Sequence, residues 1–250
     1  MSAPSSTIAL RIDGQDISVH LRPSARAKRT RIVVTADKVE VVAPVPMDCQ
    51  VIERFLRENR LWIAKKRHDI KQRCSDPGIY HPYKGAAGST IPLFGQATTV
   101  QIKRMRIDQP TVTFGKALTV TLPEDVLERH QSSLVRDTLK HWLFRYLGDE
   151  AGLFVRQHQP RCGLQPNSIR IKEQKTRWGS CGIRNDVHIN WRLVFAPKSV
   201  TEYVVVHELC HIQHRNHSSR FWALVGQHLP DFQNNRAWLR EHGAKLMRVL

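Results

Sequence analysis

The chain has 250 residues, 41% hydrophobic and 24% charged, ordinary globular values that allow one large domain or two small ones. Its net charge is +17, so it draws nucleic acid, anionic surfaces or acidic protein, and no run approaches 18 apolar residues, which excludes a membrane-spanning helix. The N-terminal residues lack a basic-then-apolar leader, and five cysteines without a C-x-x-C pair argue against a disulfide framework or a cysteine zinc ribbon, so a reducing cytoplasm is the expected compartment.

Residues 8–45 read as β-structure. Ile8, Leu10 and Ile12 alternate, Asp13-Gly14 signals a hairpin turn, and Ile17, Val19 and Leu21 alternate again. A basic run holds Arg22, Arg26, Lys28, Arg29 and Arg31. Ile32–Val34 and Val39–Val42 make another hairpin pair, stopped by Pro44 and Pro46. Asp48 is placed to cap a single basic helix over 48–73, with Ile52, Phe55, Leu56, Trp62, Ile63 and Ile70 as its apolar stripe. Asp76-Pro77-Gly78 breaks it, and residues 76–89 read as a linker.

Short strands follow at 91–94, 98–102, 112–114 and 118–122, with Gly95 and Gly115 at turns. A long helix is expected from Glu124 to about Gln157, then a half-buried strand over 168–173. Asn185-Asp186 turns the chain into a second strand, Val187 to Trp191. Ser199-Val200-Thr201-Glu202 has the form of a capping box for the next helix. Two helices close the chain, over 218–228 and 231–247.

The helix after Ser199 carries His207-Glu208-Leu209-Cys210-His211. Histidines at i and i+4 share a helical face, about 40° apart at roughly 100° per residue, so both imidazoles can grip one metal ion. Glu208 is placed to act as general base on a metal-activated water. A catalytic zinc takes three protein ligands and keeps a fourth position for water, so one more ligand is needed. His217 lies six residues past His211, the spacing of the longer H-E-x-x-H-x-x-G-x-x-H pattern. His214 is the rival, but three imidazoles along one straight stripe of about 10 Å cannot converge on one ion at about 2.1 Å. The helix is therefore expected to end near Arg215, with Asn216 as a left-handed residue and Ser218 capping the next helix.

Several further pieces stand in order: Thr176-Arg177-Trp178-Gly179-Ser180-Cys181, Ile189-Asn190-Trp191-Arg192-Leu193, Asn216-His217-Ser218, Phe221-Trp222, Pro230-Asp231 and Trp238-Leu239. With the H-E-x-x-H helix they resemble the YgjP-like zinc metallopeptidase family, a branch of the zincins related to SprT-like proteases. The resemblance implies a zincin fold, with His207, His211 and His217 as ligands and Glu208 as base. This chain has His214 where the metzincin pattern has glycine, and no Met-turn follows.

The fold class expected is α+β: a β-rich N-terminal part with one long helix, over 1–122, followed by a zincin-like metallopeptidase domain over 123–250. The expected function is zinc-dependent hydrolysis of peptide bonds in a protein or peptide substrate. The strand 187–191 is expected at the cleft edge, with His188, Asn190 and Arg192 lining it for substrate. Cys181 is placed either to pack or to approach the metal. The rival reading is a basic nucleic-acid-binding protein whose zinc is structural, and a second is a protease recruited to DNA.

Overall fold

The computed structural model describes residues 7–12, 14–35, 38–46, 48–75 and 78–250, with only the backbone for 73–75 and 161–162. Residues 1–6, Asp13 of the expected hairpin turn and the Asp76-Pro77 breaker lie outside them. The chain is α+β and forms two compact units, Met1–Asp76 and Pro77–Leu250. No helix among the described residues is long and apolar enough to cross a membrane.

The first unit is a sheet of β1 (Thr7–Ile12), β2 (Gln15–Pro23), β3 (Arg31–Val34) and β4 (Val39–Ala43), in the order β1-β2-β4-β3. Alternation decides its faces: Ile17, Val19 and Leu21 are buried and the residues between them are not. Ile52 and Leu56 from α1 (Cys49–Glu58) and Ile63 from α2 (Arg60–Ser75) complete this core. Asp48 caps α1 as expected, its Oδ1 accepting from the Gln50 amide at 2.9 Å. The single helix over 48–73 is instead two, parted at Asn59. The Asn59 side chain and backbone amide both donate to the Phe55 carbonyl at this junction.

In the second unit, β5 (Thr90–Leu93), β6 (Gln96–Met105), β7 (Thr111–Phe114) and β8 (Leu118–Pro123) pair in the order β5-β6-β8-β7. The expected division at 122/123 is not where the compact units part. Leu118, Val120 and Leu122 share one core with Leu139, Leu143 and Leu147 of α3 (Glu128–Cys162). Side chains buried like these contribute about 1.5–3 kcal/mol each. Helix α3 starts four residues later and runs five residues further than expected, until Gly163 ends it in the left-handed region at φ 64°. Gly95, at φ 79°, turns β5 into β6, and a Cβ there would come within 3.1 Å of Pro197 Cα.

A three-stranded sheet follows: β9 (Ser168–Lys172), β10 (Gly179–Cys181) and β11 (Asp186–Asn190), in the order β10-β11-β9. Val187 and Ile189 are fully buried, and the chain continues through a 3-10 turn, Trp191–Phe195, into α4 (Lys198–Cys210). Helices α5 (Ser219–His228) and α6 (Phe232–Leu246) close the unit.

The capping box at the start of α4 is not formed. Pro197 is the cap residue, and Ser199 already lies inside the first turn. Glu202 is engaged elsewhere: His158 Nε2 of α3 lies 2.8 Å from its Oε1, and Gln157 donates to the same oxygen. On the far side of that ring, His158 Nδ1 meets His228 Nδ1 of α5 at 3.2 Å, so a buried polar chain ties α3, α4 and α5 together.

Candidate metal centre

Helix α4 is buried on nearly every side. Val200, Val204, Val205, Val206 and Leu209 enter the core, and the Thr201 hydroxyl donates to the Leu193 carbonyl at 2.8 Å. A run of β-branched residues is a weak helix former, so burial of the whole surface holds this helix. It ends at Cys210, five residues before the expected end. His211 caps it, and the chain leaves through tight turns in which the Ile212 and Gln213 amides reach back to Leu209 and Cys210. Asn216 is not left-handed, since Phe94 and Asn185 are the non-glycine residues at positive φ among those described.

This early exit returns His217 to the helix. The rings of His207 and His211 are 5.0 Å apart, and His217 lies 5.0 Å from the first and 4.7 Å from the second. One ligand nitrogen from each of the three falls within 4.8 Å of the others. The Nε2 atoms of His207 and His217 face each other at 3.0 Å. Two neutral imidazoles meeting in this way require a shared proton or a shared cation between them. Burial, then the neighbouring His211 and His217, push the His207 pKa down to about 3, and burial is also the first cause lowering that of His217.

His214 serves by its backbone. His211 Nδ1 lies 2.9 Å from the His214 carbonyl, which can only accept, so Nδ1 carries the proton and Nε2 keeps its lone pair. Phe221 of α5, fully buried, forms the floor, stacked on His211 at 4.5 Å and edge-on to His207 and His217. Arg215 fixes the loop from outside. It donates to the Gly182 and Ile183 carbonyls at 2.8 and 3.3 Å and to Asn185 Oδ1, all in the turn between β10 and β11.

Glu208 is 6% exposed, and burial pushes its pKa up to about 8 against the opposing charge of Arg177. Its carboxylate fills the space beside Gly179, where a Cβ would lie 2.6 Å from Oε1. The strand beside the site is therefore β10. The strand expected at the cleft edge, now β11, is instead the central one, paired with β10 on one side and β9 on the other.

Among the described residues no hydrogen bond or ring contact joins His188, Asn190 or Arg192 to the three histidines. Asn190 is fully buried, its amide donating to the Gln174 and Arg177 carbonyls while its Oδ1 accepts from the Arg192 amide. Arg192 pairs with Glu173 at 3.1 Å and lies over the Trp191 ring. His188 is half-buried, opposite Ser180 in the ladder. Cys181 stands outside the histidine group, its sulfur 3.5 Å from an Arg215 nitrogen, with burial raising its pKa.

Nothing in the sequence alone marks a role for Phe221 or Gly179. The pairs Phe221-Trp222 and Trp178-Gly179 stood in the motif set, but only the packing shows what they touch.

No curated protein matches the chain. The family model described as YgjP-like, metallopeptidase domain, matches residues 28–242 and so takes in the three histidines, Glu208 and Gly179. Since that match spans most of the sequence, the chain belongs to the YgjP-like metallopeptidase family.

Proposed function

We propose that the protein is a zinc-dependent peptidase in which His207, His211 and His217 hold the metal and Glu208 is the general base. One observation carries the reading. Three imidazoles converge, and among the described residues no fourth histidine, cysteine or carboxylate joins them. A structural zinc is enclosed by four protein ligands, whereas a catalytic one keeps a position for water. This favours hydrolysis over a structural zinc in a nucleic-acid-binding protein.

The donor set suits a borderline-soft divalent ion such as zinc. The 3.0 Å between the His207 and His217 nitrogens is close to the roughly 3.4 Å that bonds of about 2.1 Å require at tetrahedral angles. When bound, such an ion polarises a carbonyl and acidifies a water.

The chain supplies the rest. Glu208 takes a proton from the attacking water and returns it to the leaving amine nitrogen. Its burial suits both tasks, because a carboxyl with a raised pKa is a stronger base once ionised. The Gly179 backbone and the α4 helix hold that carboxyl in place. The outer edge of β10 is free to pair with an extended substrate backbone, and such a peptide would run past Glu208.

Metal analysis with X-ray absorption tests the ligand set. About one zinc per chain, with three imidazole nitrogens and at least one further light atom, is the expected result. Absence of any transition metal after saturation and gel filtration would overturn it.

A further inference from the structure

Arg236 projects from α6 with its guanidinium carbon 4.6 Å from the centre of the Trp222 ring. That indole is a fixed plate: it stacks on His217 at 5.6 Å and 25°, and on Phe232 at 5.5 Å and 13°. It also lies 5.7 Å from His207. A guanidinium on an aromatic face keeps the donors around its edge free.

Among the described residues no carboxylate pairs with Arg236 or with Arg177, and both are exposed. By contrast Arg22 pairs with Glu40, Arg192 with Glu173, and Arg215 with carbonyls. Arg177 comes two residues before Gly179, on the β10 side of the site, and its carbonyl is held by the Asn190 amide at 3.0 Å. The charge of Arg177 bears on Glu208, and that of Arg236 on His207, His217 and Tyr203. Uncompensated positive charge beside a cation site weakens cation binding, and an anionic substrate offsets that repulsion.

We propose that Arg236, with Arg177 on the β10 side, makes this site selective for acidic peptides, Arg236 pairing with a glutamate or aspartate carboxylate next to the scissile bond. The inference rests on the peptidase reading above and names its substrate class. Trp222 holds the guanidinium plane ready, so little side-chain freedom is lost when a carboxylate docks.

The test compares zinc-loaded protein on matched fluorogenic peptides that differ only by Glu or Gln on either side of the cleaved bond. Wild type cleaves the Glu peptide with kcat/KM higher by on the order of tenfold. The ratio shrinks as salt rises toward about 0.5 M, where exposed charges are screened. In Arg236→Gln the ratio falls close to one, and Arg236→Lys restores part of it, which loss of packing alone would not do. Equal cleavage of both peptides by wild type would overturn the selectivity while leaving the peptidase reading intact. An unchanged ratio in Arg236→Gln would overturn the role of Arg236. Failure to cleave either peptide at full zinc loading would overturn the peptidase reading, and this inference with it.

Discussion

Gly179 and Glu208 occupy one space: a Cβ on Gly179 would stand 2.6 Å from both Cγ and Oε1 of the Glu208 side chain. The edge strand β10 thus lies against Glu208, the proposed base. Any side chain at 179 pushes the carboxylate away from where water would be activated. Gly179→Ala is expected to keep the metal and lower kcat by at least about a hundredfold, the lower range for loss of a positioned general base. Parallel metal content and kcat values check this; unchanged kcat would show that the Glu208 position is not critical.

The metal-free protein has a pH signature. Glu208 ionises near its ordinary value of 4.5 when unfolded but only at about 8 when folded, so between those values the unfolded chain has lost a proton the folded chain keeps. Its contribution is therefore present at acid pH and lost as pH rises from about 4.5 to about 8. His207 acts in the opposite sense: its folded pKa of about 3 lies below 6.5, so stability is lost as pH falls through that interval. After chelation, Glu208→Gln should gain Tm relative to wild type as pH rises from 5 to 8. A constant difference across that range would contradict the burial assigned to Glu208.

Much of this site is legible in the sequence because helical spacing fixes geometry locally. His207 and His211 at i and i+4 must share a face, and no long-range information is needed to say so. Excluding His214 from a straight stripe is the same kind of argument, and the early end of α4 places His217 beside the other two. What stayed hidden depends on residues far apart in the chain. Strand β11 looks like an edge until β9 is seen to pair with it in parallel. Glu202 looks like half of a capping box until His158, 44 residues earlier, engages it. Asn190 looks like a cleft residue until its amide is found holding the loop before β10. Strands β5, β6 and β8 read as N-terminal until their leucines and valines meet α3.

The His214 carbonyl, not its ring, orients His211. His214→Ala is therefore expected to retain zinc affinity within a few fold, whereas His217→Ala loses it by orders of magnitude. Competition titration of both variants against a chelator reads this directly. Loss of metal in His214→Ala with retention in His217→Ala would reverse the assignment.

Arg215 ties the His217 loop to the turn between β10 and β11 through carbonyl acceptors. Arg215→Ala is expected to weaken zinc binding about tenfold, the lower range for a group that supports ligands without touching metal. Arg215→Lys restores little, because an ammonium cannot reproduce the planar fork. Titration of both variants distinguishes this clamp from a plain charge effect, which lysine would rescue.

The proposed activity is peptide-bond hydrolysis driven by Glu208 beside a three-histidine metal site. The most direct measurement follows cleavage of an unstructured protein substrate by zinc-loaded wild type and Glu208→Gln at matched metal content, with products sized by mass spectrometry. Wild type should give fragments with new free amino termini, and the variant should do so at least about a hundredfold more slowly. Equal rates for the two proteins, or no cleavage by fully metallated wild type, would contradict the claim.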